Sequence, residues 1–167
     1  MNKLIKIITI LALLIFITGC EEKPIGKKVV IKSTKDMDSR LKAYPEAIEW
    51  YKDSLNSADS SFNLGLFYDD KIKDSTKSII WYTKAYEMGY KKAAFNLGYL
   101  YEDTIKDYNN AIKWYKIAFD NNLNTSTANI GMIYADIKKD YEKAIKWYKK
   151  GIEREYTVNK KYCMAIS

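Results

Sequence analysis

Apolar and polar positions along this chain fall into blocks with helical spacing. Ala111, Trp114, Tyr115 and Ala118 stand at i, i+3, i+4 and i+7, which places them on one helical face. The hexapeptide AIKWYK that carries this face occurs twice, at Ala111–Lys116 and Ala144–Lys149. AIEWYK at Ala47–Lys52 and SIIWYT at Ser78–Thr83 are variants of it. A second type of block lies between them: FNLGLFYDD from Phe62, FNLGYLYED from Phe95 and ANIGMIYAD from Ala128. There Leu97 and Tyr101, at i and i+4, form the apolar ridge, with Gly98 beside them. Trp81, Trp114 and Trp147 are 33 residues apart, as are Gly65, Gly98 and Gly131; only Trp50, 31 residues before Trp81, breaks step. Two amphipathic helices per period predict an all-α array of helix pairs, A then B, over residues 44–167.

Local signals mark the helix starts. Asp74, Asp107 and Asp140 each precede the Ala or Ser of a B block by four residues, so each is placed to accept from free first-turn N–H groups. Pro45 serves the first copy, since a first-turn proline loses no helical hydrogen bond. A glycine inside a helix costs about 1 kcal/mol relative to alanine. Three at one phase predict the close approach of a large side chain, with the facing tryptophan as the expected filler. The four tryptophans keep phase with small residues, as core positions do, which argues against a ligand-stacking role. Carrying the register forward by 33 puts Cys163 on the Ile130 position and Met164 on the Gly131 position. The segment NKKYCMAIS is therefore expected to be an A-type half repeat over the open end of the last B helix, with Cys163 as a small core residue.

The NLG..Y of the A blocks and the A..WY..A of the B blocks resemble the tetratricopeptide repeat and its relative, the Sel1-like repeat, from Tyr44 to Glu155. The resemblance implies a right-handed superhelical solenoid of antiparallel helix pairs, about three and a half repeats long, with A helices lining an inner face. It also implies a protein partner. In tetratricopeptide repeats an asparagine at the position of Asn63, Asn96 and Asn129 grips the backbone or terminal carboxylate of an extended peptide. An amide has the donors and the acceptor for that. Phe62 and Phe95 precede this row by one residue, and Leu66, Tyr99 and Met132 follow it by one turn. Together they outline an apolar groove with a polar row, the expected site for a protein or extended peptide.

The N-terminus is a separate object. Lys3 and Lys6 are followed by Ile7–Ile17, eleven residues with only Thr9 polar, too short to span a bilayer and suited to a signal-peptide core. The run ends in ITGC at Ile17–Cys20, which resembles the lipobox of bacterial lipoproteins. That resemblance implies cleavage before Cys20, lipid on its sulfur, and an anchored protein on the exported side of the cell membrane or outer membrane. Two or three acyl chains hold a protein on a bilayer persistently, at about 0.8 kcal/mol per buried methylene. The expected division is a lipoprotein signal peptide at 1–19, a lipid-anchored flexible tether at 20–43 and the helical repeat domain at 44–167.

Charge and residue inventory narrow the function. The chain has 28 basic and 21 acidic side chains, interleaved without a concentrated basic stripe, which reads as solvated helix faces and not as a nucleic-acid site. It has no histidine, which removes the usual zinc sites and histidine catalysis. With Cys20 committed to lipid, Cys163 has no intramolecular partner. The carboxylates Asp69–Asp70, Glu102–Asp103 and Asp136 sit at the ends of A helices, where solvated acids are ordinary. No catalytic residue, metal site or cofactor is implied. The expectation is a membrane-anchored protein-binding module of the bacterial envelope, such as an immunity or inhibitor protein for a secreted effector. An accessory factor in envelope assembly is the alternative, ahead of a cell-wall-modifying enzyme.

Overall fold

The computed structural model describes residues 36–166, with side chains as far as Lys160. The expected signal peptide, Cys20 and most of the expected tether lie outside the described residues, as does the side chain of Cys163.

Among the described residues seven α-helices follow one another. α1 (Pro45–Asp53) opens on Pro45 in its first turn. α2 (Ala58–Phe67) is capped by Ser57, which accepts from the Ser60 N–H at 3.1 Å. α3 (Ser75–Glu87) and α5 (Tyr108–Asp120) start at Asp74 and Asp107, whose carboxylates accept from Lys77 and Asn110 N–H, each at 3.1 Å. α7 (Tyr141–Ile166) starts likewise at Asp140, which accepts from the Lys143 N–H at 3.0 Å. α4 (Ala93–Tyr99) and α6 (Ser126–Met132) are the remaining A helices. Each A helix widens at its end into a π turn, at Tyr68–Ile72, Leu100–Ile105 and Ile133–Ile137. The chain then reverses through a left-handed residue: Lys73, Lys106 and Lys139 have φ of 57°, 61° and 53°. That geometry lets the N–H of Asp74, Asp107 and Asp140 donate to the carbonyls of Tyr68, Tyr101 and Tyr134, each at 2.8 Å.

The helices pack on their neighbours in the chain, from α1 on α2 through to α6 on α7, which is the contact pattern of a helical solenoid. Three complete pairs, α2–α3, α4–α5 and α6–α7, follow a lone B-type helix, α1. Within a pair, A and B helices meet where one lacks a side chain. A methyl group on Gly65 would lie 2.4 Å from Tyr82 Cδ1, and one on Gly98 2.5 Å from Tyr115 Cδ1. The equivalent distance at Gly131 is 2.4 Å to Tyr148 Cε1. The filler is thus the tyrosine of each WY pair and not the expected tryptophan. Adjacent helical residues point about 100° apart, so the tryptophan turns instead toward the preceding B helix. Trp81 meets Tyr51, Trp114 meets Tyr86, and Trp147 meets Phe119, edge to face at 5.8, 5.6 and 5.9 Å. Trp81 and Trp114 are buried.

Two boundaries differ from expectation. The tether does not remain loose up to residue 43. Ser39–Ala43 form a short 3-10 helix, and Leu41 is fully buried against α1, α2 and Trp81. Asp38 locks this segment: its carboxylate pairs with Arg40 at 2.7 Å and with Lys77, and accepts from the Tyr68 hydroxyl at 3.2 Å. Arg40 also reaches Asp74 at 2.6 Å. At the other end the expected A-type half repeat does not form, because α7 runs without a break from Tyr141 to Ile166. The earlier B helices stop where Gly89 and Asn122 adopt φ of 98° and 68°. Thirty-three residues after Asn122 the chain has Glu155, a poor left-handed residue and a good helix former, so the helix continues.

Candidate functional site

The A-helix face holds the residues singled out by sequence, and the structure divides them into two groups. The first group is tied to the scaffold. The Asn96 amide donates to the Tyr82 hydroxyl at 3.3 Å, and the Asn129 amide hydrogen-bonds the Tyr115 hydroxyl. Each asparagine thereby bolts an A helix to the B helix of the preceding pair. Asn63 is half-buried. Phe62 stacks on Tyr90 at 4.3 Å and leans on Tyr82 at 5.5 Å, while Phe95 leans on Tyr115 at 5.4 Å. Leu66 packs against the same core. Tyr82 and Tyr115 are buried, and burial pushes both hydroxyls far above their ordinary pKa; they act as neutral hydrogen-bonding groups.

The second group is open. Tyr99 and Met132 are 51% and 44% exposed, and with Asn129 they line a groove of about 410 Å³ between the ends of the second and third A helices. Ile137, 39 residues after Gly98 and also half-exposed, extends its apolar side. The groove is also acidic. Glu102, Asp103 and Asp136 line it, with Lys106 the one basic side chain, 3.8 Å from Asp103. Glu102 is oriented from beneath by the Tyr115 hydroxyl, which donates to it at 2.6 Å.

The carboxylates form a row. Asp70, Asp103 and Asp136 recur at intervals of 33, at the C-terminal ends of A helices. The helix dipole is negative there, so an acid at that position is disfavoured by its own helix. Burial pushes the Asp69 carboxyl above its ordinary value; Asp70 and Asp103 add to the effect and Lys73 opposes it. A cation brought to this row from outside relieves the repulsion. In sequence these acids look like ordinary solvated groups at helix ends. Their recurrence at one phase was the available signal; their alignment beside Tyr99 and Met132 depends on the π turns, which sequence did not reveal. Among the described residues no cluster of His, Cys, Asp and Glu has metal-binding geometry, and no helix is long and apolar enough to cross a membrane.

The Sel1 repeat family matches residues 58–90, 91–123 and 129–156. Those three segments follow the three complete helix pairs. No curated protein matches the chain.

Proposed function

The chain belongs to the Sel1 repeat family, and from that premise we propose that it is a lipid-anchored binding protein of the bacterial envelope. Its repeats make it a protein-interaction module. In this reading Cys20 carries the lipid, and the A-helix groove takes an extended partner segment with apolar and basic side chains. The observation that carries the reading is the groove itself: exposed Tyr99 and Met132 share it with Glu102, Asp103 and Asp136, acids that stand at helix C-termini against the helix dipole. The partner is bound without turnover, as suits an immunity or inhibitor protein that occludes a secreted effector. Accessory binding in envelope assembly is the second use of the same groove.

Photocrosslinking from position 137, on the groove's edge, in the intact chain and in its own membrane, should capture the partner. Tyr99→Ala with Met132→Ala should weaken capture tenfold or more, about 1.4 kcal/mol, without lowering the melting temperature. Asp103→Asn with Asp136→Asn should weaken capture while raising the melting temperature, since both acids oppose their helix dipoles. Undiminished capture by both variants removes the groove from the proposal. Radioactive palmitate should label the wild type and not Cys20→Ser; equal labelling removes the anchor and leaves the groove untouched.

A further inference from the structure

In the second pair, the face of the B helix turned toward the next repeat is buried: Ile112, Tyr115 and Phe119 are 5%, 0% and 9% exposed. On α7 the same three positions are Ile145, Tyr148 and Ile152, and they are 54%, 37% and 68% exposed. No further repeat covers them among the described residues. The stripe continues to Tyr141 and Tyr156, at 62% and 68%. Its members succeed one another by four, three, four and four residues. That is close to the spacing of a seam between two helices. At about 100° per residue all five lie within about 40° of the direction of Ile152. Space is also available beside the seam. A cavity of about 670 Å³ opens along Tyr148, Gly151 and Ile152, because Ala128 stands where Phe62 and Phe95 fill the earlier pairs.

The geometry points to a second copy of this chain as what covers the stripe, with the two α7 helices antiparallel about the level of Gly151, beside Ile152. Charge order decides the occupant and the direction. Along one flank of the seam stand Glu142, Lys149, Glu153 and Lys160. A two-fold axis level with Gly151 keeps that flank on the same side and reverses its order. Glu153 then lies beside Lys149 of the second copy, and Glu142 beside Lys160, each contact made twice. A parallel two-fold pairing carries that flank to the other side of the seam, against Ala144, Gly151 and Glu155, where the nearest charge to Glu153 is the like-charged Glu155. The stripe is thus complementary to itself in one orientation, which is the requirement for an isologous dimer. This interface lies at the end of the array and leaves the A-helix groove free, so it stands independently of the partner proposed for that groove.

The test uses the full chain purified in detergent. The wild type should sediment at twice the monomer mass, and Ile152→Glu at the monomer mass with unchanged far-ultraviolet circular dichroism. Mild oxidation should convert Ile152→Cys to a covalent dimer and leave Lys91→Cys, on an exposed site elsewhere, at the wild-type level. Glu153→Lys should abolish the dimer, and adding Lys149→Glu should restore it. A wild type that stays monomeric through the micromolar range overturns the proposal, as does equal crosslinking at 152 and 91. Failure of the charge swap to rescue overturns the antiparallel register. A monomeric wild type whose Ile152→Glu variant loses a different envelope protein gives the stripe to that protein instead.

Discussion

Gly98 has no room for a methyl group, and the reason lies in one neighbour. Tyr115 is fully buried, donates to Glu102 at 2.6 Å and is bolted to Asn129, so its ring cannot yield to an added Cβ placed 2.5 Å away. Gly98→Ala should therefore destabilise the protein by about 1–3 kcal/mol, the usual cost of overpacking. Gly131 is the internal control. Tyr148 sits over it at a similar distance but is 37% exposed and has space to swing outward. Gly131→Ala should cost less than half as much in a urea titration; equal costs would show that the glycines matter for something other than the tyrosine. Asp38 supplies a pH dependence. Hydrogen bonds from Arg40 hold its carboxyl well below the ordinary 3.8, with Lys77 adding to the effect and burial opposing it. A depressed carboxylate stabilises the fold fully above its unfolded value and loses that contribution as pH falls below it. The melting temperature should thus drop below about pH 4, and Asp38→Asn should flatten the drop while lowering stability at neutral pH. A variant with the wild-type acid profile would assign the acid loss to other carboxylates.

At the scale of the helix, starts and stops follow different rules. The starts were legible: aspartate four residues before a small residue, and proline before the first copy, act through contacts two or three residues away. The stops were not. Each A helix ends in a π turn and a left-handed lysine, and lysine carries no sequence mark for that conformation. Such a residue costs about 1–2 kcal/mol in the left-handed region. Lys139 is exposed with φ 53°, so Lys139→Gly should raise the urea midpoint, with a gain in unfolding free energy of about 0.5–1 kcal/mol after the flexibility glycine adds to the unfolded chain. A lower midpoint would mean that the Lys139 side chain contributes more than its backbone strain removes. The same rule explains the C-terminal misreading. The 33-residue register carried the pattern of the next A helix forward, but a repeat pattern does not bend a chain. Gly89 and Asn122 accept a positive φ readily, and Glu155 does not. The tyrosine filler was missed for another reason: Trp and Tyr are adjacent in the sequence, and only the packed array decides which of the two faces the glycine.

At the scale of the molecule, stability is a chain of neighbour contacts, because each helix packs on the ones before and after it. The period alone made this legible, and with it the all-α class and the pairing of A with B. What capped the first pair was not legible, since Met37–Ala43 shows no repeat pattern and its one apolar plug, Leu41, reads as part of a charged tether. The position of that plug makes the neighbour rule testable. Leu41 is fully buried among Ala47, Tyr51, Leu64, Phe67, Tyr68 and Trp81, all in α1 to α3 or the first π turn. Leu41→Ala should remove about 2–5 kcal/mol at that site. In a neighbour-coupled array the loss stays near its origin and decays along the chain. Amide exchange should accelerate strongly in α1 and α2, less in α4, and barely in α6 and the first half of α7. A fully cooperative domain would instead lose protection equally throughout. Uniform acceleration would therefore show that one unfolding unit spans all three pairs, and that the aromatic contacts between successive B helices couple them more tightly than the neighbour rule allows.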